Sequence, residues 1–251
     1  MIRARQLEGG GALHLTLARP KANILDAEMI RGIRAALERD VSAGTKLIVF
    51  EGEGAHFCFG ASVEEHRAES AGEMLETFHG MFRDLARLGV PTCAVVRGQC
   101  LGGGLELASW CTWIVATPDA CLGQPEIRLA VFPPMASVLL PWRVGGGAAL
   151  DICVSGRTVT AAQALDMGLI SAVTDAPEVW WREHYTSHLA PTSASSLRFA
   201  ERAARRQLIR QLDAELPELE RIYLSELMAT HDANEGIQAF LERRRPTYTN
   251  D

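Results

Sequence analysis

Residues 98–106 read Gly98-Gln99-Cys100-Leu101-Gly102-Gly103-Gly104-Leu105-Glu106, and they follow the short apolar run Thr92–Val96. The apolar run is typical of a buried strand, and the residues from about Leu105 onward favour a helix. Glycines at the start of a helix leave backbone N–H groups uncovered, and the helix dipole adds positive potential there. This stretch therefore predicts a strand-to-helix turn that can bind an anion or a developing oxyanion.

Two carboxylates are candidates for chemistry beside this turn. Glu106 lies three residues after Gly103, on the same face of the first helical turn, where a substrate carbonyl could lie between donor and carboxylate. Its alternative role is to complement the helix dipole. Glu126 follows Pro125, which fixes the backbone before it. It could instead be a capping or salt-bridged surface residue, with Arg128 as its partner. Two carboxylates near one polarised carbonyl can share the acid and base roles.

Several other kinds of function are disfavoured by the sequence. A GxGxxG dinucleotide motif would need a glycine at Leu107, and no P-loop or GxSxG motif is present. The six cysteines form no CxxC pair and no cluster with metal-ligand spacing, so no metal site is expected. With 25 basic and 31 acidic residues the net charge is −6, which disfavours nucleic-acid binding.

The cellular location of the protein is predicted from segments that its sequence lacks. No apolar run approaches the roughly 20 residues of a membrane span, and the charged first residues lack the apolar core of a signal peptide. Most cysteines lie in apolar runs, where cysteine acts as a small buried hydrophobic residue. We therefore expect a cytoplasmic protein with no membrane partner.

Strand and helix patterns alternate on both sides of the glycine turn. Asp26 is a plausible N-cap for the first helix, and from about Thr160 the pattern is almost entirely helical. We predict an α/β core of repeated strand–strand–helix units over residues 1–190 and a helical packing or assembly region over residues 191–251. Strands are predicted at Ala12–Leu17 (bounded by glycines and Pro20), 46–50, Thr92–Val96, Trp113–Ala116 and 120–123.

Several motifs occur together along the chain. They are Arg19-Pro20-Lys21-Ala22-Asn23-Ile24-Leu25, then residues 57–61, 98–106, 123–126, 155–157, 161–173 and 235–246. One motif alone would be weak, but together, in this order and spacing, they resemble the crotonase (enoyl-CoA hydratase/isomerase) family. The resemblance implies a spiral core of strand–strand–helix turns, C-terminal helices that assemble trimers or hexamers made of two trimers, and a coenzyme A thioester as substrate.

The resemblance also implies roles for individual residues. The backbone N–H groups of Ala61 and Gly103 correspond to the family's oxyanion hole, and Glu106 and Glu126 correspond to its two hydratase glutamates. Many relatives with isomerase, hydrolase or dehalogenase activity lack one glutamate, so the pair favours addition or removal of water. Glu106 would then activate water and Glu126 would donate the proton, without a metal or redox cofactor. A double-bond isomerase and a catalytically silent acyl-CoA-binding homologue are the alternatives.

The sequence departs from the common family pattern after Glu126, where Phe132-Pro133-Pro134-Met135-Ala136-Ser137 replaces a glycine-rich stretch. We predict that Phe132, Pro134 and Met135 line a stiff, apolar pocket wall, because proline fixes φ and removes a donor. Such a wall suits a rigid, flat acyl group. The segment resembles that of hydratases of cyclohexa-1,5-diene-1-carbonyl-CoA, which act in degradation of aromatic acids. A loop variation in a short-chain enoyl-CoA hydratase is the alternative.

A second departure concerns the nucleotide end of coenzyme A. The family's usual Asp and nearby basic residue are replaced by Ser62 and Glu64. These replacements argue against a lysine contact to the nucleotide at that place. The weaker candidates for coenzyme A contacts are Lys21, Ala22, Phe59 and Arg244.

Overall fold

The chain forms two β-sheets covered by helices. A computed structural model describes residues 2–19 and 21–251. Pro20, which the sequence places after the Ala12–Leu17 strand, lies outside the described residues, as does Met1. The strands are β1 (Ile2–Leu7), β2 (Ala12–Leu17), β3 (Leu47–Gly52), β4 (Thr92–Val96), β5 (Gln99–Leu101), β6 (Trp113–Ala116), β7 (Cys121–Gly123), β8 (Thr158–Thr160) and β9 (Ala172–Val173).

The helices occupy the intervals between these strands and most of the C-terminal region. Short 3-10 segments lie at Glu8–Gly10, Glu64–His66, Pro125–Leu129 and Leu227–Ala229, and π-helical segments lie at Tyr185–Leu189 and Ile222–Glu226. The α-helices are α1 (Ala27–Asp40), α2 (Ala71–Leu88), α3 (Gly103–Trp110), α4 (Pro134–Val144), α5 (Gly146–Ser155), α6 (Ala161–Asp166), α7 (Pro177–His184), α8 (Ala194–Arg221) and α9 (His231–Leu241).

Two successive turns of the chain each add one strand to each sheet and then a helix. The larger sheet has the strand order β1-β2-β3-β4-β6-β9, and the smaller has the order β5-β7-β8. Strands β4 and β5 are followed by α3, and β6 and β7 are followed by α4. Cys58, between β3 and α2, forms a parallel bridge with Cys100 of β5, so an earlier turn has the same form. The predicted α/β spiral is confirmed.

The strands of the larger sheet bury side chains on both faces. Ile48 and Phe50 of β3 contact the main core, whereas Leu47 and Val49 face a second cluster that includes Trp181 of α7. Successive residues of a strand point to opposite faces, and β2, β3, β4, β6 and β9 pair in parallel. Parallel strands covered by helices on both faces have continuous apolar sequences, as residues 47–50 do.

Most predicted elements are confirmed, and three findings differ from the predictions. Asp26 caps α1 as expected, because its side chain accepts a hydrogen bond from the Met29 nitrogen at 2.9 Å. Ile2–Leu7 forms an unpredicted strand, antiparallel to β2. The proline-rich segment enters helix α4, with Pro134 in the first turn, where a missing N–H breaks no helical hydrogen bond. The region after Thr160 also contributes β9 to the larger sheet.

The C-terminal helices share the main core. Leu208, Leu212 and Leu216 of α8 are buried in it, and α8 contacts α2 and α4. The predicted boundary at residues 190 and 191 lies between the Tyr185–Leu189 π-helical segment and α8. The division into 1–190 and 191–251 and the role of the second part in assembly stay predictions. Within residues 2–19 and 21–251, no helix combines the length and apolar character that crossing a bilayer requires.

Candidate active site

The backbone amides of Ala61 and Gly103 lie close together at the start of α3. A Cβ atom built on Gly103 would lie 3.1 Å from the Ala61 nitrogen, and one built on Gly60 would lie 3.6 Å from the Gly103 nitrogen. Neither amide donates to an acceptor within residues 2–19 and 21–251. Two such N–H groups can hold one carbonyl oxygen and stabilise its developing negative charge. The structure therefore brings together the two residues predicted to form an oxyanion hole.

The glycine run allows this close approach. Gly102 has φ +51°, a conformation that favours glycine, and a Cβ atom there would lie 2.6 Å from Oε1 of Glu126. A Cβ atom on Gly104 would lie 2.6 Å from the Cβ of Cys58. Side chains at these positions would displace the carboxylate or separate α3 from the segment that carries Ala61.

Glu106 is held at the base of the site. It lies in the first turn of α3, with 5% of its surface exposed. The backbone nitrogen of Ala136 donates a 2.7 Å hydrogen bond to its Oε1 atom. Ala136 lies in the first turn of α4, where backbone N–H groups have no helical acceptor and can serve a carboxylate. The segment predicted only as a pocket wall therefore also holds Glu106.

Glu126 reaches the site from the neighbouring 3-10 segment, Pro125–Leu129. The buried Gln124 amide, oriented with its nitrogen toward Glu126, donates to Oε2 at 3.0 Å and to Oε1 at 3.1 Å. Glu126 forms no salt bridge with Arg128 among the ion pairs of residues 2–19 and 21–251, so that alternative is not supported. Glu126 is thus held by a buried amide, and its carboxylate lies beside Gly102 at the start of α3.

Burial raises the pKa of both carboxyl groups. Desolvation raises the pKa of Glu106, and the hydrogen bond from Ala136 opposes only part of this effect. Desolvation also raises the pKa of Glu126, and the negative charge of Glu106 raises it further. Two desolvated carboxyl groups that repel one another favour a state in which the pair holds one proton. The pair can then act with one member as base and the other as acid.

The raised pKa values predict how stability depends on pH. The folded state holds protons that the unfolded chain loses above about pH 4.5, so ionisation of the pair destabilises the fold as pH rises through this window. We expect Glu106→Gln to have nearly wild-type stability at pH 5 and to be more stable by on the order of 1–3 kcal/mol at pH 8. Denaturant unfolding between pH 5 and 8 measures this difference, with Glu183→Gln on the surface as control. A difference that does not change with pH would contradict the assignment.

A cavity of about 760 Å³ opens above the two carboxylates and the two amides. Its lining is mostly apolar, and it is large enough to enclose an acyl group. The predicted residues that line it, besides the amides and carboxylates, are Ala22, Phe59, Phe132, Pro134 and Arg244.

Two predicted contact residues lie elsewhere. Met135 does not line this cavity, because its side chain enters the main core from α4 and is almost fully buried there. Lys21 is exposed, has φ +76° and is also absent from the lining. The pocket wall is therefore formed by Phe132, Pro133 and Pro134.

The comparison with known proteins agrees with this arrangement. Residues 8–251 match the family described as enoyl-CoA hydratase/isomerase. The chain belongs to this family. Membership of the enoyl-CoA hydratase/isomerase family also confirms the resemblance found in the sequence motifs.

Curated relatives and solved structures match the chain along nearly its whole length. The cyclohexa-1,5-dienecarbonyl-CoA hydratase of Thauera aromatica is 47% identical over 242 residues, covering 96% of this chain and 94% of the relative. A probable enoyl-CoA hydratase of Mycobacterium bovis is 35% identical, covering 94% and 93%. The crystal structure of an enoyl-CoA hydratase from Mycobacterium avium subsp. paratuberculosis has a TM-score of 0.85 at 26% identity, covering 99% and 98%.

In this protein, two of the candidate residues for contact with coenzyme A lie at the mouth of the cavity. Phe59 is half-exposed, and its ring meets that of His56 edge to face at a centroid distance of 4.9 Å. Arg244 forms ion pairs with Glu235 at 2.5 Å and with Glu242 at 2.5 Å. An arginine held by two carboxylates at the cavity mouth is a fixed donor that could also contact a phosphate.

Sequence reasoning missed three residues of the site. Gln124 orients Glu126, the Ala136 amide orients Glu106, and Tyr223 lines the cavity from the C-terminal region. Gln124 lies within the matched motif 123–126, so its position beside Glu126 was the available signal. Tyr223 lies about 100 residues from either glutamate, and no local pattern marks it.

Proposed function

We propose that this protein is a hydro-lyase that adds water to a conjugated enoyl-CoA thioester, and that its substrate is cyclohexa-1,5-diene-1-carbonyl-CoA. One observation carries the proposal: the buried Glu106 carboxylate, the partly buried Glu126 carboxylate and two backbone amides without acceptors line one cavity. Glu106 and Glu126 supply the acid and base, and Ala61 and Gly103 supply the oxyanion hole. A hydratase needs all four groups, whereas an isomerase needs only one proton-carrying carboxylate.

The geometry suggests a mechanism in which the thioester oxygen binds the two amides. Negative charge develops on this oxygen as water adds to a carbon conjugated with the carbonyl. Each amide stabilises this charge by about 3 kcal/mol. Glu106 takes a proton from the water as the C–O bond forms. Glu126 delivers a proton to a ring carbon and completes the addition. No metal or redox cofactor is required, and coenzyme A is part of the substrate.

The cyclic substrate is supported by the shape and rigidity of the pocket wall. Phe132 packs edge to face on Tyr223 at a centroid distance of 5.5 Å, and Pro133 and Pro134 continue the wall into α4. Aromatic rings and prolines have few rotatable bonds, so the wall adapts poorly to a flexible chain. The 47% identity to a cyclohexa-1,5-dienecarbonyl-CoA hydratase supports the same substrate.

We also propose that the protein assembles as a homotrimer or as a hexamer of two trimers in the cytoplasm. Leu150 and Val154, four residues apart on α5, are 65% and 67% exposed, and Phe199 on α8 is 67% exposed. Apolar side chains grouped on a helix face favour contact with another subunit. All six cysteines are free thiols, which suits a reducing compartment. Light scattering tests the assembly.

A panel of thioesters tests the proposed activity. Purified protein is incubated with the cyclic dienoyl-CoA or with crotonyl-CoA in H₂¹⁸O, and the products are analysed by mass spectrometry. We expect one solvent oxygen in the product and a kcat/KM for the cyclic thioester at least about 10²-fold higher than for crotonyl-CoA. Isomerisation would add no oxygen. A preference for crotonyl-CoA would identify a short-chain hydratase instead.

A further inference from the structure

The hydroxyl group of Tyr223 is buried in the wall of the cavity without a hydrogen-bond partner. Tyr223 is 1% exposed and lines the same cavity as Glu106 and Glu126, and its hydroxyl contacts no donor or acceptor within residues 2–19 and 21–251. Burying an unsatisfied hydroxyl destabilises a fold, and phenylalanine would fill the same space without this cost. A hydroxyl kept in such a place is therefore expected to bind something that enters the cavity.

The surrounding structure holds the Tyr223 ring in one position. Tyr223 lies in the π-helical segment Ile222–Glu226, a conformation often found at functional sites. Its ring packs edge to face on Phe132, with an angle of 63° between the planes. Glu220, one turn earlier, joins the end of α8 to α2 through a 2.5 Å contact with Nδ1 of the buried His79. The ring contact with Phe132 and the Glu220–His79 contact next to it thus hold the Tyr223 side chain in place.

The chemical state of Tyr223 is that of a donor. Burial raises the pKa of its phenol, and the negative charges of Glu126 and Glu106 raise it further. The phenol therefore stays protonated throughout the working range of pH. Tyr223 and both glutamates line the same cavity.

We propose, building on the hydratase function above, that the Tyr223 hydroxyl donates a hydrogen bond to the oxygen atom that is added to the substrate. This oxygen belongs to water in the forward direction and to the alcohol of the product in the reverse direction. The basic glutamate accepts one proton of the water, and the acidic glutamate donates its proton to carbon. One lone pair of the water forms the C–O bond, and the other needs a donor. Tyr223 supplies that donor and keeps its own proton.

The first test is Tyr223→Phe, which removes the hydroxyl and keeps the ring on Phe132. We expect kcat for hydration to fall at least about tenfold, the KM for the thioester to change less than about twofold, and the melting temperature to stay equal or rise. Tyr185→Phe is the matched control, because Tyr185 is also buried in a π-helical segment but packs against the larger sheet and does not line the cavity. The control should retain wild-type kcat.

The second test separates a contact with the added oxygen from a general effect on the pocket. Calorimetry compares binding of the hydroxylated cyclic product and of the saturated cyclic acyl-CoA, which lacks that oxygen. Tyr223→Phe should lower the affinity for the hydroxylated ligand about tenfold and leave the affinity for the saturated ligand unchanged. Equal loss of affinity for both ligands, or an unchanged kcat, would overturn the proposed role of Tyr223 and leave the proposed hydratase function standing. A wild-type protein that hydrates no thioester would overturn the proposed function, and this role with it.

Discussion

Glu106→Gln and Glu126→Gln are each expected to lower kcat for hydration by about 10²–10⁴-fold, because each removes one proton-transferring group. Glutamine has nearly the same shape as glutamate, and the amide introduced at position 106 would retain an oxygen that accepts from the Ala136 nitrogen. The double variant should be little slower than either single variant, since groups that act as a unit do not contribute additively. Turnover is measured by product formation, and thioester binding by calorimetry.

Binding and stability controls make this result specific. Both variants should bind the saturated acyl-CoA with near wild-type affinity, because the amides of Ala61 and Gly103 remain. Glu183→Gln, the same change on an exposed face of α7, should leave kcat unaltered. If either single variant at the site retains near-normal turnover, that carboxylate has no role in hydration.

Gly102→Ala should lower kcat by about 10²-fold without preventing folding. The new Cβ atom would lie 2.6 Å from Oε1 of Glu126, so the carboxylate must move away from the amides of the oxyanion hole. A displacement of about 1 Å can cost 10²-fold in rate when a catalytic group must be aligned with the substrate. The carboxylate is the flexible end of a side chain, so the clash itself should cost little stability.

A matched glycine separates this effect from backbone strain. Gly145 also has positive φ, +78°, but a Cβ atom there would meet nothing within 4 Å. Gly145→Ala should therefore lose stability of about 1–3 kcal/mol from its backbone conformation, as Gly102→Ala should, but keep wild-type kcat. The comparison is made by kcat and by denaturant unfolding. Equal losses of kcat in the two variants would mean that strain, and not the position of Glu126, limits the rate.

Local patterns in the sequence predicted the elements that form the spiral. The apolar run Thr92–Val96 forms the strand it predicts, and the glycines at 102–104 begin α3 as expected. These predictions succeeded because strand burial, helix capping and turn formation depend on residues close together in the chain. Strand β1 was missed because none of its side chains is fully buried at this sheet edge, so no continuous apolar pattern marks it.

The sequence alone determined which family this chain belongs to, and through that resemblance it predicted which two carboxylates are the candidate acid and base and which two amides are the candidate oxyanion hole. These residues lie in short motifs of local structure. Only the tertiary structure decided what holds and completes the site, because those contacts join residues far apart in the chain. The Ala136 amide reaches Glu106 across 30 residues. Tyr223 enters the same cavity from the C-terminal region, and packing of α8 against α2 and α4 places it there. No local sequence pattern predicts these contacts, because the free energy that stabilises them comes from apolar surface buried between segments far apart in the chain.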